Sequence, residues 1–110
     1  MKVPNADRAV VDIAKLRDYS LGPTHKEGKH KPRVFAAALG IDEGEAGWLR
    51  SVLLEAVGRY GCELGRRTPF GQRYMVDFPV TKADKQARVH SVWNIRPGED
   101  VPRLVTCYVL

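Results

Sequence analysis

At 110 residues the chain has room for one domain, residues 1–110, and excludes a core plus a second independent unit. Hydrophobic residues make up 44% of it, enough to fold, and a formal charge of +5 favours acidic partners, nucleic acid or an acidic protein, over basic ones. Two cysteines outside any C-x-x-C pair, histidines His25 and His30 five apart rather than four, and no run of about 18 apolar residues argue against a structural metal, a cofactor and a membrane span.

The N-terminus Met1-Lys-Val-Pro-Asn5 carries no apolar run of signal-peptide length, so a cytoplasmic location is expected. Ala9 to Val11 reads as an edge strand or a cover for the core. Asp12 is a natural N-cap for a short helix bearing Ile13, Leu16 and Tyr19 at helical spacing, which Gly22 and Pro23 end. A second helix is expected to start with Pro32 in its first position and Lys31 outside it, and to close at Gly40. After the acidic turn Asp42 to Glu45, the positions Ala46, Leu49, Val52, Leu53, Ala56, Val57 and Tyr60 define the main helix, with Gly61 as its expected C-cap. From Cys62 the period changes to two: Tyr74, Val76, Phe78 and Val80 share one strand face, and Pro79 suggests that the strand's end lies at an edge. After a polar hairpin connection, Thr81 to Lys85, the residues Val89, Ser91, Trp93 and Ile95 share a face, and Arg88, His90 and Asn94 the other. Leu104, Thr106 and Tyr108 then alternate with Arg103, Val105 and Cys107. The expected architecture is α+β, two or three N-terminal helices packed on a three- to four-stranded antiparallel sheet.

Four stretches could carry chemistry. The stretch from His25 to Arg33 sets four cations against the single acid Glu27 and gathers Lys29, His30 and Lys31 at a helix N-terminus. The dipole there disfavours each cation by on the order of 0.3–1 kcal/mol unless an anion, such as a phosphate, sits among them. The alternative is a solvated basic loop. In Arg66 to Arg73 a tight turn around Pro69 exposes the Thr68 hydroxyl. Trp93 is either core or, if partly open, a platform on which a base stacks. Arg103 and Thr106 are expected on opposite faces of the last strand, so that only one of them reaches a site. These residue types suit RNA cleavage without a metal: histidine as base or acid, Lys31 and Arg103 to hold the phosphorane charge, Thr68 or Tyr74 to position the phosphate.

The opening Val3 to Val10, the segments Leu16-Arg-Asp-Tyr19 and His25-x-x-Gly28-x-x-Lys31, the turn Thr68-Pro-Phe-Gly71 with Tyr74, and the closing Trp93 and Pro102 to Thr106 resemble a family of small bacterial domains of unassigned function. The resemblance covers essentially the whole chain. Members of that family stand alone or form the C-terminal module of contact-dependent toxins, which implies a toxin-like activity. The order of elements is also similar to the fold of barnase, the EndoU nucleases, the colicin ribonucleases and RelE-type toxins. His25, Gly28, Lys31, Thr68, Gly71, Tyr74, Trp93, Arg103 and Thr106 match the recurrent positions, and His30 does not, which favours His25 as the catalytic histidine. Pro32 departs from the pattern, where a small residue is expected after the lysine.

The first reading is a toxin-like ribonuclease with RNA, tRNA included, as substrate and an acidic antitoxin or immunity protein as partner; it has His25, Lys31, Thr68 and Arg103 as catalytic residues. Gly28, Lys29, His30, Gly71, Tyr74, Trp93 and Thr106 are its substrate contacts. The alternative is a non-catalytic module that binds nucleic acid or an acidic protein through the same surface. An enzyme acting on another phosphate-bearing substrate is a third.

Overall fold

The alternation after Cys62 folds as an antiparallel meander, β1 (Glu63–Thr68), β2 (Gly71–Lys82), β3 (Lys85–Ile95) and β4 (Pro102–Val109), in the spatial order β1-β2-β3-β4. The structure is a computed structural model and describes residues 1–22 and 30–110. Among the described residues three α-helices precede the sheet: α1 (Ile13–Lys15), which runs on into a π-turn at Leu16–Ser20, α2 (His30–Leu39) and α3 (Ala46–Arg59). The Asp12 carboxylate caps α1 by accepting from Ala14 N–H at 3.0 Å.

Two helix boundaries differ from the sequence reading. The α2 helix starts at His30, so Lys31 is helical and Pro32 is its third residue. None of the first four N–H groups of a helix has an intrahelical acceptor, so a proline there sacrifices no bond. Gly40, at φ +67°, closes α2 as expected. Gly61 does not cap α3. Tyr60 ends that helix in an extended conformation, its N–H still donating to Ala56 O.

Both longer helices lie on one face of the sheet. Leu49, Leu53, Ala56 and Val57 of α3, with Phe35 and Leu39 of α2, are buried together with Val76, Phe78 and Val80 of β2, Val89 and Trp93 of β3, and Leu104 and Cys107 of β4. Each large apolar side chain so buried contributes about 1.5–3 kcal/mol. The pairs β1–β2 stop at Met75, leaving the second half of β2 an edge at which Pro79 is tolerated. Val10 N–H donates to Pro102 O and Leu104 N–H to Val10 O, a single parallel bridge that pairs the N-terminal segment with the start of the outer edge of β4.

Asp42 holds the entrance to α3 through Oδ1, which accepts from Gly44 N–H at 2.9 Å. Asp42→Ala is expected to cost about 0.5–2 kcal/mol, the usual worth of such a cap, read as a lower midpoint in urea with an unchanged slope.

Candidate active site on the open face of the sheet

The face of the sheet turned away from α2 and α3 carries its chemistry in rows, because cross-strand partners share a face. Arg73, Asn94 and Arg103 form one row, Met75, Val92 and Thr106 the next, and Asp77, His90 and Tyr108 a third. None of the nine is buried. Successive rows lie about 6.6 Å apart along the strands. The strict alternation expected of β4 does not hold. Val92 faces Thr106 while Trp93 faces Leu104, so Val105 is the extra residue of a β-bulge. The bulge brings Arg103 and Thr106 to the same, open face instead of opposite ones.

The third row contains an ordered pair. His90 Nδ1 lies 2.5 Å from Asp77 Oδ1, and the Tyr108 ring packs on the imidazole with centroids 4.9 Å apart. With Nδ1–H donated to the carboxylate, Nε2 is the nitrogen left for a substrate. The His90 side chain is 16% exposed, its partner 43%, so the pair is held yet reachable. Beside it opens a hollow of about 250 Å³ lined by Gly61, Glu63, Met75, Asp77, Arg88 and His90. Glu63 reaches it because it begins β1 opposite Met75. Arg88, two residues before His90 on the same face, has no acidic partner among the described residues. Two carboxylates, an oriented imidazole and a guanidinium in no ion pair among the described residues therefore share one small concavity. That set can move a proton to and from a substrate and hold negative charge between the two.

The residues singled out in the sequence fall elsewhere. Thr68, Gly71 and Tyr74 come together in a second hollow, of about 330 Å³, at the end of the sheet, with Arg67, Ile95 and Arg96. The Thr68 hydroxyl closes the turn by accepting from Phe70 N–H at 3.0 Å. Gly71 sits at φ +132°, and a Cβ there would lie 2.1 Å from Ile95 O, so close strand approach alone requires glycine. Arg103 Nε is 3.4 Å from Glu99 Oε2. Trp93 is fully buried and its Nε1–H donates to Ser91 Oγ, so it is core and offers no ring face for a base. His25, Gly28 and Lys29 lie outside the described residues. His30 and Lys31 open α2, and their side chains also lie outside what is described. Glu63, Asp77, Arg88 and His90 escaped selection in the sequence, although alternation already set Arg88 and His90 on one strand face.

Burial pushes the Cys62 thiol up, against the lowering effect of the N-terminal ammonium nearby. Cys107 is buried, with Sγ 3.7 Å from Ser20 Oγ; both cysteines pack rather than react. Among the described residues no group of three or more His, Cys, Asp and Glu side chains could hold a metal ion, and no helix is long and apolar enough to cross a membrane. A family model described as a domain of unknown function (DUF6883) matches residues 2–110. No curated protein and no solved structure matches the chain.

Proposed function

We propose that this chain, which belongs to the DUF6883 family, is a metal-independent endoribonuclease working from the open face of its sheet. The observation that carries the reading is the hollow shared by Glu63, His90 and Arg88, with Asp77 fixing the imidazole. Glu63 takes the proton of a ribose 2′-hydroxyl, whose oxygen attacks the adjacent phosphorus. The P–O5′ bond breaks, His90, entering the step as an imidazolium with Nδ1–H on Asp77, gives its Nε2 proton to the departing oxygen and is left neutral, and the products are a 2′,3′-cyclic phosphate and a 5′-hydroxyl. Arg88 neutralises the charge that grows on the phosphorane oxygens. In this reading Arg73 and Arg103 hold flanking phosphates along the strand path. His25 and Lys31 remain proposed contributors from the basic stretch. A toxin of this kind is the setting in which the reading makes sense, since a small basic ribonuclease needs an acidic antitoxin or immunity protein in the cell that makes it.

A second reading, a module that binds RNA without cutting it, draws on Arg66, Arg67 and Arg73, none of which has an acidic partner among the described residues. Incubating the purified protein with total RNA and with purified tRNA in EDTA separates the two. Discrete fragments ending in cyclic phosphate are expected. Intact RNA with a salt-sensitive gel shift would overturn cleavage in favour of binding.

A further inference from the structure

Phe70 stands at the tip of the hairpin joining β1 and β2, 77% exposed. A single exposed apolar residue is ordinary. The turn that presents it is not. Phe70 N–H donates to Thr68 Oγ1 at 3.0 Å, Phe70 O accepts from Asn94 Nδ2 at 2.9 Å, and the following Gly71 packs so closely on Ile95 O that no side chain fits there. The backbone before the ring is therefore tied to Thr68 at the end of β1 and the backbone after it to β3, and the phenyl group is displayed on a fixed support with only its two side-chain torsions left to settle. On the two strands of the same hairpin, Arg66, Arg67 and Arg73 are all exposed and, among the described residues, without acidic partners. An exposed aromatic ring at the tip of a hairpin whose strands carry unpaired guanidinium groups matches an unpaired base between phosphates: the ring meets the π-face of the base and the cations meet the backbone. A protein partner of the same hairpin would need acidic groups around an apolar pocket, and nothing in the hairpin's shape calls for that pocket.

We infer that Phe70 is the base-stacking platform of this protein, taking a base of single-stranded RNA at a distance from the scissile bond. The distance follows from the strand: Phe70 precedes Asp77 by seven residues, about 23 Å of extended chain. This inference rests on RNA being the ligand proposed above and adds to it a subsite and a preference for unpaired RNA. It also gives the role expected of Trp93 to a residue that is exposed enough to play it.

The test uses fluorescence anisotropy with a short fluorescein-labelled single-stranded RNA, and with the same strand annealed to its complement. Both are measured on the His90→Gln protein, so that cleavage does not interfere. Adding Phe70→Ala is expected to weaken single-strand binding by about 5- to 150-fold, the worth of one base stacked on an aromatic ring, and to leave duplex binding and the thermal midpoint unchanged. Phe70→Trp is expected to retain single-strand binding and to show indole fluorescence quenched by the RNA. Equal single-strand affinity with and without Phe70, or equal losses for single strand and duplex, would overturn the inference. If the unaltered protein fails to cut RNA yet Phe70→Ala loses single-strand affinity, the stacking site stands and the nuclease reading falls. If it cuts RNA and Phe70→Ala changes nothing, the stacking site alone falls.

Discussion

His90→Gln is expected to lower the single-turnover rate of RNA cleavage by about 10²–10⁴-fold, the range that one positioned acid or base supplies. Glutamine keeps a polar group of similar reach in contact with Asp77 but has no proton to give at the departing oxygen. Glu63→Gln should fall in the same range for the complementary reason, since the amide cannot accept the 2′-hydroxyl proton. Both side chains line an open hollow outside the core, so neither replacement should shift the unfolding midpoint appreciably. Asp77 is assigned a different part. It touches the imidazole and not the substrate, and holds the proton on Nδ1 so that Nε2 faces the reaction. Asp77→Asn should therefore depress kcat with little change in KM, whereas Arg88→Ala should raise KM as well as lower kcat, because the guanidinium meets the phosphate before and during reaction. If His90→Gln and Glu63→Gln both cleave at the unaltered rate, the hollow is not the active site. Loss of activity in His90→Gln accompanied by an equal fall in the melting temperature would indicate a structural part for the pair instead.

The contrast between these four residues and those picked from the sequence shows what a linear reading captures. Period and punctuation gave the α+β architecture, the Asp12 cap, Gly40 as the end of α2 and the inward faces of β2 and β3, because each depends on residues a few positions apart. The Asp77–His90 pair was within reach too. The two-residue turn Ala83–Asp84 sets Lys82 opposite Lys85, and counting outward along both strands brings 77 opposite 90. What was missing was the turn's length, since a polar run from Thr81 to Lys85 fits more than one register. Glu63 was harder to find. It joins the hollow only through the pairing of β1 with β2, which is itself interrupted between Leu64 and Arg67. The bulge at Val105 was not legible at all: nothing in Leu104-Val-Thr106 marks an extra residue, and a one-residue slip inverts every face beyond it. That slip decides whether Arg103 and Thr106 can serve one surface, and it puts both on the open one. The basic stretch drew attention by charge density. Charge density is a property of composition, whereas a site also requires position, and His25, Gly28 and Lys29 lie outside the described residues.

Trp93→Ala is expected to destabilise the fold by about 3–5 kcal/mol, the cost of emptying a large aromatic site. The indole is fully buried opposite Leu104 and Tyr74, and its N–H begins a short buried chain: Nε1–H to Ser91 Oγ at 3.0 Å, and Ser91 Oγ–H to Val76 O at 2.8 Å. In a domain of this size each kcal/mol lowers the melting temperature by about 4 °C, so Trp93→Ala stands close to the limit of what the protein survives. Trp93→Phe provides the finer measurement. It keeps most of the apolar volume and removes the donor, leaving Ser91 Oγ with one acceptor site unmet, for an expected loss of about 1–3 kcal/mol. The two hypotheses for this residue diverge at that point. A ring that stacks on RNA would, when replaced by phenylalanine, change RNA affinity and leave the melting temperature in place. A ring that fills the core should do the reverse: a lower midpoint in urea and, at a temperature where both proteins are folded, the same affinity for single-stranded RNA. Tryptophan at this position then answers a packing constraint on the centre of the sheet, as does glycine at position 71, where Ile95 O leaves no room for a Cβ. Residues matched by pattern are in this way divided by burial into those that hold the sheet in shape and those, such as Arg103, that stand on the face where a substrate can reach them.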